Sequence, residues 1–235
     1  EIYQNESLFE YENEFYGGYY IGFKAGIGVL HPINDRLNLS AGGRFEYFQL
    51  NDTITASKPI FRAGTTYRIH KATFLRASYG QGFRFPTITE RFIKTGVGNF
   101  GVFPNPNLKP ESSWNAELGI KQGIKIGNVL GYLDVAGFWQ EYQNTIEYMF
   151  GVWRPLNGEN LANCVGFMFL NTGNSRVRGI DASLAGTIAF NKKNELTFLC
   201  GYTYILPQTL SPDYVYATDS LNREFTYNNT SLDST

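Results

Sequence analysis

The residues of this chain best equipped for chemistry are aromatic and basic rather than nucleophilic. Arg91, Phe92, Lys94, Phe100 and Phe103 stand in one long polar stretch, and Tyr148, Phe150, Trp153 and Arg154 in another. Rings and planar cations at that density stack on a ligand or pair with it. They do not activate a bond. The chain has no Gly-x-Ser-x-Gly, no His-Glu-x-x-His and no phosphate-cradling loop, so binding rather than catalysis is expected, without a metal or other cofactor. Cys164 and Cys200 lie far apart without metal-ligand spacing. They form either one bridge or, as the better fit, two free thiols.

Composition narrows the class. The 235 residues are 43% hydrophobic, 16% aromatic and 17% charged, with a net charge of −1 and a mean hydropathy of −0.26. That balance implies no nucleic-acid partner. The apolar runs all fall short of the roughly eighteen residues a membrane-spanning helix needs.

The elements that must position these side chains are strands. Residues 18–30 place Tyr19, Ile21, Phe23, Ala25, Ile27 and Val29 on one face, against Lys24 and four glycines or tyrosines on the other. A period of two is the signature of a strand with two different environments. The same alternation predicts strands at about 36–48, 59–69, 72–81, 111–122, 128–141, 174–190 and 195–205. Their second face carries Arg44, Glu46, Arg62, Arg76, Glu117, Lys121, Asp134 and Asp181, too many charges for a dry core but suited to a wet lumen. Asp134 and Asp181 are expected to play structural parts there.

The connections alternate in length. His31–Asp35, His70–Lys71, Gly123–Gly127 and Asn191–Asn194 are short, whereas 49–58, 82–110, 142–173 and 206–235 are long. Antiparallel up-and-down strands would then carry tight turns at one end and long loops at the other, as in a transmembrane β-barrel. The apolar-face aromatics Tyr19, Tyr47, Phe61, Tyr79, Trp114, Trp139, Tyr202 and Tyr204 gather at the loop-side ends, as an interfacial girdle would. The competing expectation is a soluble β-sandwich, whose core aromatics have no reason to collect at one end.

Two proline-rich corners bracket the 82–110 stretch: Gly82-Phe83-Arg84-Phe85-Pro86, and Pro104-Asn105-Pro106-Asn107-Leu108-Lys109-Pro110-Glu111. Proline fixes φ and gives no ladder N–H, so a strand can begin only after Pro110. Together with RVRGIDASLAG (Arg176 to Gly186), these motifs resemble those of TonB-dependent outer-membrane receptors in order and spacing. The resemblance implies an all-β fold, with about eight strands of a larger barrel of about 22 strands that is plugged by its own N-terminal domain. Residues 1–235 would then be a partial barrel domain. Eight strands starting and ending on the loop side, and an N-terminus without a basic leader, suggest a piece of a longer chain lacking plug and TonB-binding segment. Its place would be the outer membrane of a Gram-negative bacterium, with TonB complex, plug and membrane lipid as partners.

The function so implied is capture of a scarce nutrient (ferric siderophore, cobalamin or oligosaccharide) at the long loops and import with TonB-supplied energy. The motif residues Phe83, Arg84, Pro86 and Pro104–Glu111 would be structural. Haem receptors that resemble this chain carry a ligating histidine between the two boxes. Here His31 and His70 fall in short turns at the far end, which disfavours haem ligation. Arg176 and Arg178 share the outward face near the loop side and are expected to contact lipopolysaccharide phosphates. Alternatives are a passive channel or assembly barrel, and an extracellular β-rich adhesion module.

Overall fold

The computed structural model describes residues 2–11, 14–50, 54–97, 100–154, 161–191 and 193–230; the side chains of Tyr19 and Ile21 lie outside the described residues. In chain order the elements are β1 (Ile2–Tyr11), β2 (Glu14–Asn34), β3 (Leu37–Leu50), β4 (Ile54–His70), β5 (Thr73–Arg84), α1 (Ile88–Phe92), β6 (Thr95–Val97) and β7 (Phe100–Phe103). They continue with β8 (Glu111–Ile126), β9 (Val129–Gln143), β10 (Ile146–Val152), β11 (Val165–Asn171), β12 (Ser175–Ala189), β13 (Glu195–Thr209), β14 (Ala217–Thr218), β15 (Glu224–Phe225) and α2 (Tyr227–Thr230).

Nine strands make one antiparallel sheet in the order β1-β2-β3-β4-β5-β8-β9-β12-β13. Each lies beside the wall strand before it, as the up-and-down pattern requires. The eight expected strands are all present. β1 is an addition: Ile2–Tyr11 pairs with the loop-side half of β2, so the segment does not begin with a descent from the loop side.

Register sorts the side chains. Across five strands Leu75, Ile120, Val135, Ala182 and Tyr202 stand opposite one another, as do Ala63, Tyr79, Ala116, Trp139 and Arg178 two layers nearer the loops. The intervening positions point the other way, including Thr66, Arg76, Gly119, Ala136, Asp181 and Thr203. There Arg76 reaches Asp134 at 2.6 Å and Glu117 at 3.1 Å on the next two strands, and Asp181 accepts from Thr203 Oγ1 at 2.5 Å. One face is therefore hydrocarbon up to its loop-side end, where Arg176, Arg178 and Glu141 stand, and the other a water-facing ionic surface. Tyr79 and Trp114 stack on the apolar face near the loop side, 6.1 Å between ring centres.

The tight turns are held by local chemistry. Asn34 Oδ1 accepts from the N–H groups of Arg36 and Leu37 at 2.8 and 2.9 Å, and Asn191 Oδ1 does the same for Lys193 and Asn194. Gly127 opens the β8–β9 turn at φ +55°, a conformation that costs other L-residues strain.

On the loop side the expectation needs correction. β3 runs to Leu50 and β4 starts at Ile54, so 49–58 is no long excursion, and its centre, 51–53, lies outside the described residues. The alternation that ends at Phe48 in the sequence continues because Phe48 and Leu50 are covered: with Phe85 and Ile88 they form a buried cluster, flanked by Phe83 and Phe92. Phe48 and Phe85 stack at 5.6 Å. Nor are 82–110 and 142–173 irregular, since β5 extends to Arg84 and both stretches fold into further helix and strand. Buried apolar residues concentrate here, because a wall one layer thick has no interior. Neither cysteine forms a disulfide among the described residues, Cys164 lying buried and Cys200 exposed.

The parity of the wall is testable by substitution. Leu118→Arg puts a cation on the apolar face and should cost about 2–4 kcal/mol near mid-wall, read as a lower denaturant midpoint for the folded barrel. Asn115→Arg, three residues away but facing water, should leave that midpoint within about 0.5 kcal/mol; equal losses would contradict the assignment of faces.

Candidate functional site

The two proline-rich corners meet in an ionic knot at the loop-side rim. α1 begins at Thr87 with a reciprocal cap: Thr87 Oγ1 accepts from Glu90 N at 3.1 Å, and Glu90 Oε2 accepts from Thr87 N at 2.8 Å. Glu90 also takes two hydrogen bonds from Arg84 Nη1, at 2.7 and 2.9 Å, and Arg84 Nε binds Glu111. The other Glu111 oxygen accepts from Ile146 N at 2.6 Å, tying the first loop to the second. Burial pushes the Glu90 carboxyl up, but the Thr87 N–H and the Arg84 guanidinium outweigh it and hold its pKa below the ordinary value.

Arg91 was expected among the ligand contacts. It is 4% exposed and donates to the carbonyls of Pro106 (2.7 Å) and Leu108. Its guanidinium also lies over Phe85 at 5.3 Å. Arg91 is thus turned inward, where the prolines leave carbonyls that no ladder can satisfy. Leu108 is 1% exposed beneath it. The corner is further sewn to the second loop. Asn105 Nδ2 donates to Phe169 O at 2.8 Å, while Asn171 accepts from Lys109 N at 2.8 Å and donates to Lys109 O and Asn144 O. Pro104, Pro106, Asn107 and Pro110 complete the turn between them, and Pro86 is fully buried.

Above this knot β10, β11, β7 and β6 form a second sheet in that order. β11 and β7 pair in parallel, Gly166 opposite Gly101, so each loop supplies half of the sheet. The approach is close: a Cβ on Gly166 would sit 1.9 Å from Gly101 O. Register puts Tyr148, Phe150, Phe167 and Phe169 on one face with Phe100. Their rings form a chain: Phe100 meets Phe150 edge-on at 5.3 Å, Phe150 meets Phe167 at 5.1 Å, and Tyr148 lies on Phe167 at 4.8 Å and Phe169 at 4.6 Å. Each contact is worth about 0.5–1.5 kcal/mol beyond burial. Phe100, Tyr148 and Phe150 nonetheless remain 45%, 43% and 46% exposed.

The other expected residues take the opposite face or lie below. Phe103 is buried, with Arg154 over its ring at 5.3 Å. Trp153 lies across Gly151 and donates to Gly166 O at 3.1 Å. Phe92 packs on the rim cluster, and Lys94 follows α1, half-exposed.

A third stretch, unassigned in the sequence, closes the rim. Phe225 packs on Trp153 at 5.6 Å, Ser220 N donates to Val152 O, and Tyr227 donates to Glu147 and Thr172. Burial and the Glu147 carboxylate raise the Tyr227 pKa. Buried Asp219 is pushed up by desolvation, yet Arg223 and the N–H groups of Arg223 and Leu221 bring its pKa below the usual carboxylate value. The signal for β10 and β11 was present, since Ile146–Val152 alternates Glu147 and Met149 against Tyr148 and Phe150. Pairing with β7 across the sequence left none.

Arg91→Ala should strand two carbonyls and cost about 2–4 kcal/mol of local stability, seen as faster proteolysis between Pro104 and Glu111 while the wall stays folded. Glu90 and Asp219 have depressed folded pKa values. Their contribution is complete above the ordinary carboxylate range of about 4 and is lost as pH falls through the folded values. Rim proteolysis should therefore accelerate below about pH 4, and Glu90→Gln should remove part of that pH dependence.

Residues 11–234 match the family described as TonB dependent receptor-like, beta-barrel. Among curated proteins, the chain is 30% identical over 110 residues to a hemoglobin and hemoglobin-haptoglobin-binding protein A of Haemophilus influenzae, covering 46% of this chain and 10% of that one. It is 36% identical over 87 residues to the hemoglobin-haptoglobin utilization protein B of Neisseria meningitidis serogroup C, covering 37% and 10%. Among solved structures, the Serratia marcescens hemophore receptor HasR aligns with a TM-score of 0.60 at 16% identity, over 79% of this chain and 34% of that one. The FrpB iron transporter of Neisseria meningitidis gives 0.55 at 17%, over 83% and 26%. The matched part is thus about a tenth of the length of these curated relatives. With this wall, this rim and a match along nearly its whole length, the chain belongs to the TonB-dependent receptor β-barrel family of the Gram-negative outer membrane.

Proposed function

We propose that this chain forms part of a receptor that captures an iron source at its rim and imports it with TonB-supplied energy. The observation that carries the reading is the chain of rings Phe100, Phe150, Phe167, Tyr148 and Phe169, three of them exposed, held on a sheet built from two loops. Rigid aromatic surface lowers the ordering cost of binding and supplies the kind of anchor that dominates interfaces. The plug and the TonB-binding segment would be supplied by regions outside these residues.

The curated relatives named for hemoglobin binding favour a haem protein as the cargo's carrier over a siderophore, cobalamin or oligosaccharide. Lack of a rim histidine fits that reading once the rim is given docking to do and no iron ligation. His31 and His70 lie at the opposite ends of their strands, and Tyr148 Oη belongs to the aromatic face. A protein surface needs apolar anchors, not a ligand to iron.

In the full-length receptor, Tyr148→Ala with Phe150→Ala should weaken hemoglobin binding to whole cells at least tenfold with unchanged surface abundance. Wild-type cells that bind no hemoglobin but take up a ferric siderophore would replace the haem-protein reading with the siderophore one. Dissipating the proton-motive force should stop uptake and spare binding. Uptake that continues would indicate a passive channel.

A further inference from the structure

The outward face of the wall carries an unexplained pairing of a bare cation with an apolar slot. Arg176 and Arg178 both lie over Trp139, at 4.5 and 5.6 Å from its ring centre. Their situations differ. Arg176 is neutralised by Glu141, which accepts from Nη2 at 2.6 Å and Nε at 2.8 Å and also from Trp139 Nε1 at 3.1 Å. Arg178 has no carboxylate within reach among the described residues, and its Nε is buried without a hydrogen-bond partner.

Directly on the membrane side of Arg178 the wall is hollow. A groove of about 440 Å³ is bounded by Trp139, Ile180, Tyr204, Leu206 and Leu118, with Gly137 at its floor. Gly137 stands opposite both Leu118 and Ile180, one layer deeper than Arg178 and Trp139. A Cβ on Gly137 would meet only Gly179 O, at 3.9 Å, so its missing side chain leaves space instead of relieving a clash.

We propose that Arg178 and the Gly137 groove seat one phosphorylated glycolipid of the outer leaflet, phosphate on the guanidinium and acyl chain in the slot. The order of the parts carries this. The cation lies at the loop-side end of β12 and the apolar slot runs from it toward the wall's centre, as headgroup and chain are ordered in a lipid. A guanidinium binds phosphate through two parallel N–H donors, which the two Nη groups at the outer end of Arg178 would supply. Neutral Arg176–Glu141 beside it removes the carboxylate that would otherwise repel the anion. This assigns Arg178 the lipid contact expected of both arginines and gives Arg176 to the protein.

The test uses the full-length receptor, detergent-exchanged to remove lipid and titrated with bis-phosphorylated lipid A under native mass spectrometry. Arg178→Gln and Gly137→Leu should each weaken the one-to-one adduct at least fivefold, the second with Arg178 untouched, and Arg178→Lys should fall between. Dephosphorylated lipid A should bind the wild type no better than lipid A binds Arg178→Gln. Heat-modifiable migration on gels establishes that each variant is a folded barrel; if Arg178→Gln is not, Gly137→Leu and Arg178→Lys decide. Unchanged adducts in the folded variants would overturn the site. Equal binding of phosphatidylglycerol would overturn its assignment to a phosphorylated glycolipid.

Discussion

A sheet one residue thick between hydrocarbon and water has no interior, so every side chain must suit one solvent or the other. That parity governs the rest of the molecule. Strand residues alternate because successive Cβ atoms point to opposite faces, and a one-residue slip would exchange the lipid-facing and lumen-facing sets completely. Leu75, Ile120 and Val135 can align only if Arg76, Glu117 and Asp134 come together on the reverse. The ion pairs on the wet face contribute little stability individually. The heavy cost of burying them in lipid gives them their influence on register.

Interior packing becomes available only where the chain leaves the membrane. At the rim Phe48, Leu50, Phe85 and Ile88 find a second layer, and Arg84, Glu90, Arg91 and Glu111 supply what the prolines remove from the backbone. These two facts are linked. Prolines at 104, 106 and 110 stop the ladder, and stopping it frees carbonyls that must find donors away from water. Arg91 is long enough to satisfy two of them. A knot built in this way holds the loop sheet at a fixed height above the wall, so that mobile loops become a surface.

The sequence exposed what depends on nearest neighbours. Alternation located eight of the nine wall strands, and the proline rule placed the start of β8 at Glu111. Features created by distant coverage were hidden. Phe48 and Leu50 looked like the approach to a loop because α1, which buries them, lies some forty positions away. Arg91 looked available because a cation in a polar stretch is ordinarily solvated; its acceptors are main-chain carbonyls, which leave no mark on side-chain pattern. The aromatic residues were visible one by one, whereas their division into an exposed face (Phe100, Tyr148, Phe150) and a packed one (Phe103, Trp153) needed the parallel β7–β11 pairing.

The same logic explains why the cargo is harder to read than the family. Motif residues answer to the backbone: Arg84 binds Glu90 and Glu111, Asn171 binds Lys109, and all five would be needed whatever the receptor carries. On the proposed reading, ligand selectivity would rest instead on side chains released from packing, and these are the positions where parity and hydrogen bonding impose least. Tyr148 and Phe150 stand on such positions, each held by neighbouring rings yet nearly half exposed. Exchanging them would alter the surface presented to a ligand without disturbing the knot below. In this chain, then, the rim's packed scaffold and the exposed aromatic surface proposed for recognition lie on opposite faces of one small sheet, and they can change independently.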